Sequence, residues 1–223
     1  MLILERIISV IAPHTCLGCG VENDALLCGA CRESLAPVPS RCYKCRAATQ
    51  NYQVCKRCRR TTPLFSVFVG YPHADLAKAL VHRAKYERAQ SGLAEMAQLL
   101  ATVTRDVDES ALFTHVPTAS SRVRMRGYDH ALLLARHLCG VSHRNRRTLL
   151  VRVGQAHQVG SSRSQRLRQL QGAFRAVRAS DIRGRHVVLV DDVLTTGATL
   201  EMAARELKRA GAKRVSAIVF AQA

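Results

Sequence analysis

The segment HVVLVDDVLTTGATL, residues 186–200, constrains the fold more than any other part of the chain. Its run of β-branched and aliphatic residues at 187–190 is typical of a strand buried on both faces of a parallel sheet. Two acids, Asp191 and Asp192, follow this strand, and then come a loop of small residues and a helix-forming stretch from Leu200. A strand, a loop and a helix in this order predict an α/β fold, with a parallel sheet flanked by helices.

The loop between this strand and helix has the composition of a phosphate site. Backbone N–H groups at a helix start favour a phosphate dianion, threonine hydroxyls add donors, and glycine permits close approach to the backbone. The acid pair can accept hydrogen bonds from vicinal ribose hydroxyls and hold a hydrated Mg²⁺ ion. The residues predicted to bind a phosphorylated ribose are Asp191, Asp192, Thr195, Thr196, Gly197, Ala198 and Thr199.

Eight of the nine cysteines lie in four C-x-x-C pairs near the start of the sequence. Each pair can present two thiolates to one ion, and two pairs complete a tetrahedral Cys₄ site with Zn–S distances of ~2.3 Å. The spacing of the first two pairs recurs, with one additional residue, in the last two, which predicts two consecutive zinc ribbons. The predicted ligands are Cys16, Cys19, Cys28, Cys31, Cys42, Cys45, Cys55 and Cys58.

Other uses of these cysteines fit the pattern less well. Disulfides require an oxidising compartment, and a redox pair needs one C-x-x-C rather than four in a row. An iron–sulfur cluster uses the same ligand type and stays an alternative. Sequential pairing of the motifs is favoured because each half supplies four ligands within 17 residues, although interleaved pairing stays open. Cys139 stands apart in an apolar stretch and is predicted to be a buried core thiol.

The first residues, MLILERIISVIAPHTC, are expected to form a short amphipathic helix rather than a signal peptide. They have no basic amino-terminal region, and Glu5 and Arg6 interrupt the apolar run. No apolar run in the chain approaches the ~20 residues that cross a bilayer. These features predict a cytoplasmic protein that does not insert into a membrane.

The charge of the chain is strongly basic and unevenly spread. It carries 34 Lys and Arg residues against 16 Asp and Glu residues, a net charge of +18. Residues 111–185 contain 15 arginines and two aspartates, which gives this stretch a net charge of +13. The excess predicts a polyanionic partner, either nucleic acid, a pyrophosphate-bearing small molecule, or both. An arginine-rich genome would explain the preference for arginine over lysine but not the shortage of acids.

The sequence predicts three parts of the chain. Residues 1–62 form the double zinc-ribbon module, residues 63–110 a connecting strand and helical hood, and residues 111–223 the phosphate-binding domain. In the middle part, 66–71 is predicted to be a strand and 73–104 to be mostly helical, because apolar positions recur there at intervals of three and four.

The thirteen residues VVLVDDVLTTGAT closely resemble the phosphoribosyl pyrophosphate (PRPP) signature of type I phosphoribosyltransferases. The resemblance implies the parallel sheet of that fold and a Mg²⁺ ion bound together with PRPP. It also implies that Asp191 and Asp192 bind the ribose hydroxyls and that the loop at 195–199 binds the 5′-phosphate.

The order of elements along the chain is similar to that of the ComF family, the competence-associated phosphoribosyltransferase-like proteins. The cysteine module is followed by a helix carrying Lys85 and Tyr86, by VPTASSRVRMRGYDHALLLARHL, by a Gln- and Arg-rich stretch ending in GAF, and by the PRPP loop. Two positions depart from the family pattern, since Asp129 and Gln169 stand where the family usually has asparagine. The added charge of Asp129 has no predicted role.

Residues 111–117 are predicted to be the first strand of the nucleotide-binding sheet, and the resemblance places a pyrophosphate-binding loop after it. This loop alternates arginines with small hydroxyl residues, and arginine can bind a diphosphate through forked, charge-assisted hydrogen bonds. Arg122 and Arg126 are the predicted pyrophosphate ligands, whereas Arg124 could instead face solvent.

Residues 154–171 take the place of the family's mobile catalytic loop. When closed over PRPP, such a loop could exclude water and bring Arg163 or Arg166 to the departing pyrophosphate. A solvated helix face is an equal alternative for this stretch, and no catalytic residue is assigned.

A ComF-type protein is expected to bind PRPP or a nucleotide and to act in DNA uptake or DNA handling. Single-stranded DNA and protein partners of the zinc module are the expected macromolecular partners. The alternative is a Mg²⁺-dependent phosphoribosyltransferase of nucleobase salvage. The sequence names no acceptor base, because residues 63–110 offer only Phe65, Phe68, Tyr71 and Tyr86 for stacking.

Overall fold

The computed structural model describes residues 14–86, 90–153 and 172–223. Its strands, in chain order, are β1 (His14–Thr15), β2 (Glu22–Asn23), β3 (Val67–Pro72), β4 (Leu112–His115), β5 (Leu150–Arg152), β6 (Phe174–Ala176), β7 (His186–Leu194) and β8 (Arg214–Gln222). Four of them form a parallel sheet in the order β3-β8-β7-β4, with β7 and β8 at its centre. The other strands form two antiparallel pairs, β1 with β2 and β5 with β6.

Helices cover both faces of the parallel sheet. They are α1 (Gly29–Glu33), α2 (Asp75–Tyr86), α3 (Gln90–Ala101), α4 (Ser120–Arg126), α5 (His130–Val141), α6 (Ala179–Ile182) and α7 (Ala198–Arg209). On one face α5 packs against α3 and β7, and α3 packs against α2, whereas α7 packs against β7 and β8 on the other face. The predicted α/β fold, a type I phosphoribosyltransferase-like parallel sheet flanked by helices, is confirmed.

Side-chain alternation explains why the central strand β7 is apolar at consecutive positions. Val188 and Val190 face the core formed with α3 and α5, whereas Val187 and Leu189 face the core formed with α7. Successive side chains of a strand point to opposite faces, so a strand that is covered on both faces carries apolar residues throughout.

The secondary structure follows the sequence-based predictions with one difference in topology. The strand predicted at 66–71 is β3, and the predicted helical region at 73–104 contains α2 and α3. The strand predicted at 111–117 is β4, but it is not the first strand of the sheet in the chain. Buried β3 precedes it and pairs in parallel with β8 at the opposite edge. Residues 63–110 therefore contribute a strand to the sheet that carries the PRPP signature.

The two halves of the cysteine-rich module pack at different places. In the first half, Arg32 of α1 forms an ion pair with buried Glu95 of α3, and Leu17 and Leu27 join the core beside α2 and α3. In the second half, Tyr43 packs in the core beneath α7. Leu17 and Leu27 of the first half and Tyr43 of the second half thus pack on different faces of the α/β domain.

Two sequence-based predictions lie outside the described residues. The amphipathic helix predicted for the first residues lies almost wholly within 1–13. Arg163, Arg166 and Gln169 lie within 154–171. Cys139 is 7% exposed, which confirms a buried thiol, and burial raises the pKa of Cys139 to about 12. In the part of the chain that the structure describes, every helix is too short or too polar to span a bilayer.

Candidate functional site

A cleft of about 1080 Å³ opens at the carboxyl edge of the parallel sheet. Parallel strands end together at this edge, so the residues that follow β3, β4 and β7 meet there, as is usual for ligand sites in open α/β sheets. The polar residues lining it are His73, Lys85, Thr118, Ser120, Ser121, Arg122, Arg124, Arg126, His130, Arg152, Asp191, Asp192, Thr195 and Thr199.

The predicted phosphate loop connects β7 to α7 at the floor of this cleft. Thr195 and Thr199 are exposed and line the cleft. Gly197 is the residue before α7 and has a φ of +82°, a left-handed conformation that favours glycine. The first N–H groups of a helix lack intrahelical partners and attract anions. The structure thus places a helix start, two threonines and the acid pair in one cleft.

The two acids have different surroundings. Asp192 is 6% exposed, and its Oδ2 lies 2.6 Å from Lys85 Nζ and 3.1 Å from His130 Nε2. The Oδ1 atom of Asp192 accepts a hydrogen bond from the N–H of Val193 at 2.7 Å. Asp191 is half-buried, and its Oδ1 accepts a hydrogen bond from the Asp192 N–H at 2.9 Å. Asp191 is therefore the carboxylate that is left to meet a ligand.

These surroundings also separate the two pKa values. Burial alone would raise the pKa of Asp192, but His130 and the Lys85 ammonium outweigh it and hold this pKa below its usual range. Burial and the charge of Asp192 raise the pKa of Asp191 well above its usual range. Asp192 is thus the ionised member of the pair, and Asp191 is the member that takes up a proton more readily.

The contacts of Asp192 with Lys85 and His130 were not predicted from the sequence. Lys85 was recognised only as part of the family pattern, and the histidines were assigned no chemistry. Lys85 lies in the last turn of α2, and His130 is the first residue of α5. These residues are 107 and 62 positions from Asp192 in the sequence, so only the tertiary structure brings them together.

Asp129 positions the histidine. It caps α5 by accepting a hydrogen bond from the N–H of Leu132 at 3.2 Å. Its carboxylate also accepts hydrogen bonds from the N–H and the hydroxyl of Thr118, at 3.1 and 2.8 Å. Asp129 therefore ties the segment after β4 to the start of α5, where His130 stands. The sequence signal for this cap is an acidic residue directly before an apolar helical stretch, because aspartate is a typical N-cap residue.

The arginines predicted after β4 lie on a helix, α4, rather than on a loop. Arg122, Arg124 and Arg126 all line the cleft, so Arg124 is both solvent-exposed and directed to the site. Arg126 Nη1 lies 3.2 Å from Nδ1 of His130. Gly127, with a φ of +84°, ends this short helix in the left-handed conformation.

Arg152 is a further cation of the cleft that sequence analysis missed. It lies on β5, its guanidinium is 5.3 Å from the ring centroid of Phe174 on β6, and its Nη1 donates to the carbonyl of Pro117 at 3.5 Å. Burial and the positive charge of Arg122 lower the pKa of Arg152. Its place depends on the pairing of β5 with β6, so no local sequence pattern could identify it.

The eight predicted metal ligands form two clusters, in each of which the four sulfur atoms lie within 4.8 Å of one another. Pairing is sequential, as favoured, and not interleaved. In the first cluster the Sγ atoms of Cys19 and Cys28 are 3.8 Å apart, and in the second those of Cys45 and Cys55 are 3.6 Å apart. Sulfurs placed ~2.3 Å from a tetrahedral zinc ion would be about 3.8 Å apart. Each cluster could therefore bind zinc.

Backbone donors prepare both clusters for a cation. Sγ of Cys16 accepts hydrogen bonds from the N–H groups of Gly18 and Cys28, at 3.4 and 3.3 Å. Burial alone would raise the pKa of Cys16, but these donors lower it to about 6. The same opposition lowers the pKa of Cys42 in the second cluster to about 6. The thiolate is the form that binds metal, so Cys16 and Cys42 favour the ligand state. In each cluster burial raises the pKa of one other thiol, Cys31 or Cys58, to about 12.

The parallel sheet, with the acid pair and the predicted phosphate loop at its carboxyl edge, has the arrangement expected of a phosphoribosyltransferase-like protein. Residues 123–223 match the model of the phosphoribosyl transferase domain. Among solved structures, the chain is similar to the glutamine PRPP amidotransferase of B. subtilis, with a TM-score of 0.41 and 21% identity. That match covers 77% of this chain and 32% of the amidotransferase chain.

Curated relatives match most of the chain. It is 29% identical over 209 residues to Competence protein F of Haemophilus influenzae, covering 88% of this chain and 90% of that protein. It is 29% identical over 199 residues to DNA utilization protein YhgH of Escherichia coli K12, covering 85% of this chain and 87% of that protein. It is 27% identical over 201 residues to Competence protein ComFC of Bacillus subtilis, covering 86% of this chain and 81% of that protein. The chain is thus similar over most of its length to ComF-type competence and DNA utilization proteins, which confirms the resemblance that the sequence indicates, and residues 123–223 carry a phosphoribosyl transferase domain.

Proposed function

We propose that the cleft binds PRPP or a related phosphorylated ribose. The observation that carries this proposal is that Asp191, Thr195 and Thr199 of the predicted phosphate loop and four arginines of α4 and β5 line one cleft. The loop and the start of α7 would hold the 5′-phosphate, and Asp191 would accept a ribose hydroxyl. Arg122 and Arg126 would hold the pyrophosphate, joined by Arg124 and Arg152. Fixed cations of this kind stabilise charge on a diphosphate group.

Magnesium would enter this site with the ligand. Mg²⁺ usually binds through one or two carboxylates together with substrate phosphates and water. Asp191 fits this role, because it is half-buried and lines the cleft. Asp192 fits it less well, because Lys85 and His130 already engage its Oδ2. In this proposal Asp191 would hold the ion, which would neutralise charge on the diphosphate, while Lys85 keeps Asp192 in place.

We further propose that each cysteine cluster holds one structural zinc ion. The sulfur spacing and the lowered pKa values of Cys16 and Cys42 support a tetrahedral thiolate site. The zinc-bearing surface would also be available to protein partners.

The names of the relatives, competence and DNA utilization proteins, support a role in DNA uptake or DNA handling. The net charge of +13 in residues 111–185 gives such a protein a surface for single-stranded DNA. The ribose-phosphate cleft would then sense or use a nucleotide-related ligand while the protein is engaged with DNA. A phosphoribosyltransferase of nucleobase salvage is the alternative function.

Calorimetric titration with PRPP, with and without Mg²⁺, tests the ligand. Mg²⁺-dependent binding is expected, and its absence would refute the proposed site. A screen of nucleobases for pyrophosphate release then separates the two functions. Binding without turnover supports the role in DNA handling, whereas turnover with one base would establish the salvage enzyme.

DNA binding is expected to depend steeply on salt. If the arginines of residues 111–185 contact ~4–6 phosphates, log affinity for a single strand should fall against log salt with a slope of roughly −3 to −4. Base stacking should contribute little, because this stretch contains only Phe113, Tyr128 and Phe174 as aromatic residues, and Phe113 is fully buried. Gel-shift titrations at several salt concentrations measure the slope.

The control for this measurement is a pair of matched substitutions. Arg124→Ala lies in the basic stretch and should reduce the slope by about 0.7, the share of one phosphate contact on a single strand. Arg205→Ala removes an exposed arginine outside that stretch, which is paired with Glu201, and should leave the slope unchanged. PRPP with Mg²⁺ should compete with DNA for the cleft arginines. Failure to retard DNA even at low salt would contradict this prediction.

A further inference from the structure

The second cysteine cluster is in direct contact with the phosphate loop through Tyr43. This residue follows the buried ligand Cys42 in the sequence, and it is itself 4% exposed. Its ring packs against the back of the loop, since a Cβ atom at Gly197 would lie 2.8 Å from Cε2 of Tyr43. Gly197 is thus required both for its left-handed backbone and for the space that the tyrosine ring occupies.

The hydroxyl of Tyr43 holds the first turn of α7. It donates a hydrogen bond to Oε1 of Glu201 at 2.6 Å and lies 2.7 Å from Oγ1 of Thr62. Lys44 Nζ lies 3.0 Å from the same carboxylate oxygen. Glu201 lies in the first turn of α7, and the start of this helix faces the proposed phosphate position. A donor and a cation on its carboxylate therefore reduce its repulsion of a bound phosphate.

The position of Tyr43 is fixed from the other side by the end of the chain. Its carbonyl accepts a hydrogen bond from Gln222 Nε2 at 3.0 Å, and Arg46 Nη2 donates to the carbonyl of Ala223 at 2.7 Å. The turn that carries Cys42, Tyr43 and Lys44 is thus fastened to β8 and to α7 together. The first cluster makes its contacts elsewhere, through the pair of Arg32 with Glu95 and the core beside α2 and α3.

We propose that Tyr43 is a positioning residue that couples the second cysteine cluster to the phosphate loop, so that this cluster supports phosphate binding and the first does not. Tyr43 does not touch the ligand. It acts by pressing on Gly197 and by holding Glu201. This inference rests on the proposed function, because it assumes that the loop at 195–199 binds a phosphate.

The test uses two probes that meet opposite ends of the cleft. Ribose 5-phosphate should bind through the loop and Asp191, whereas inorganic pyrophosphate should bind through the arginines. Tyr43→Phe keeps the ring but removes the hydrogen bond to Glu201, and should weaken ribose 5-phosphate binding about tenfold, the usual effect of one hydrogen bond to a charged group. Tyr43→Ala should weaken it further. Pyrophosphate affinity should stay within twofold of the unmodified protein in both variants.

Tyr52 provides the matched control. It lies in the same half of the module and donates a hydrogen bond to the carbonyl of Val38 at 2.7 Å, and its ring is 5.3 Å from that of Phe68, away from the loop. Tyr52→Phe should leave both affinities unchanged. A general loss of folding would lower the affinities for both probes together, so the selective loss separates positioning from stability.

A second pair of variants tests the cluster itself. Cys45 and Cys19 are the exposed ligands of the second and first clusters. Cys45→Ser should weaken ribose 5-phosphate binding, and Cys19→Ser should not, with metal content measured in both. Failure of the unmodified protein to bind ribose 5-phosphate would refute the proposed ligand and this inference with it. If that protein binds while Tyr43→Ala and Cys45→Ser bind equally well, the inference alone is refuted.

Discussion

Asp192→Asn is expected to destabilise the protein strongly, whereas Asp191→Asn is not. Removing one partner of a fully buried ion pair costs ~3–5 kcal/mol. The Lys85 side chain keeps 21% exposure and can partly recover solvent, so we expect a loss of about 2–3 kcal/mol in the free energy of unfolding. Asp191→Asn removes a carboxylate that burial and its neighbour disfavour, and should raise the free energy of unfolding at neutral pH. Denaturant titration of both variants without ligand measures the difference.

The two substitutions should affect ligand binding in the opposite order, with Asp191→Asn having the larger effect. Asp191→Asn should weaken Mg²⁺-dependent PRPP binding by at least tenfold, because it removes the carboxylate that remains to accept a ribose hydroxyl and to hold the ion. Because both acids stand where the strand ends, the sequence predicts that they bear little packing, and the buried contacts of Asp192 show that this prediction is wrong for Asp192. Equal stability of the two variants would mean that the pair with Lys85 contributes nothing measurable.

The pH dependence of stability follows from the lowered pKa of Asp192. Its ordinary value is about 3.9, and its pKa in the folded protein lies below that. The stabilisation from Asp192 is therefore fully present above about pH 4 and is lost as pH falls below it. Asp192→Asn should flatten this acid limb of the stability curve, which denaturant titrations from about pH 6 down to about pH 2 would reveal.

Loss of either metal ion is expected to unfold the corresponding half of the cysteine module. Structural zinc contributes ~10–16 kcal/mol of apparent binding free energy in small zinc peptides, and this module has few apolar residues of its own. The unmodified protein should contain two zinc ions per chain. Cys16→Ser and Cys42→Ser should each reduce the content to one and lower the melting temperature markedly.

Elemental analysis together with thermal melting checks this prediction. Cys139→Ser is the control, because Cys139 is a buried cysteine outside both clusters, and it should retain two zinc ions per chain. Iron in the purified protein, or about one metal ion per chain, would overturn the assignment of two zinc sites.

The sequence by itself determined the elements whose residues are close together in the chain. The segment at 186–200 specifies a strand, a phosphate loop and a helix, because periodicity, acids and small residues all act locally. The eight cysteines of the two Cys₄ sets were equally accessible, since each set is complete within a short stretch, but only the structure decided that the sets are sequential and not interleaved. Arg122 and Arg126 of α4 were predicted from the family resemblance, whereas the place of Arg124 in the cleft was decided by the structure.

Only the tertiary structure decided which of these residues act together. Lys85 and His130 reach Asp192 from separate helices, Arg152 enters the cleft from β5, and Tyr43 of the cysteine module supports Gly197. Their sequence neighbours carry no mark of these contacts, which arise when parallel strands end at a common edge and helices pack over it. The different environments of Asp191 and Asp192 have the same origin. Adjacent residues of a strand point to opposite faces, so their burial and charge neighbours are set by the fold and not by the local sequence.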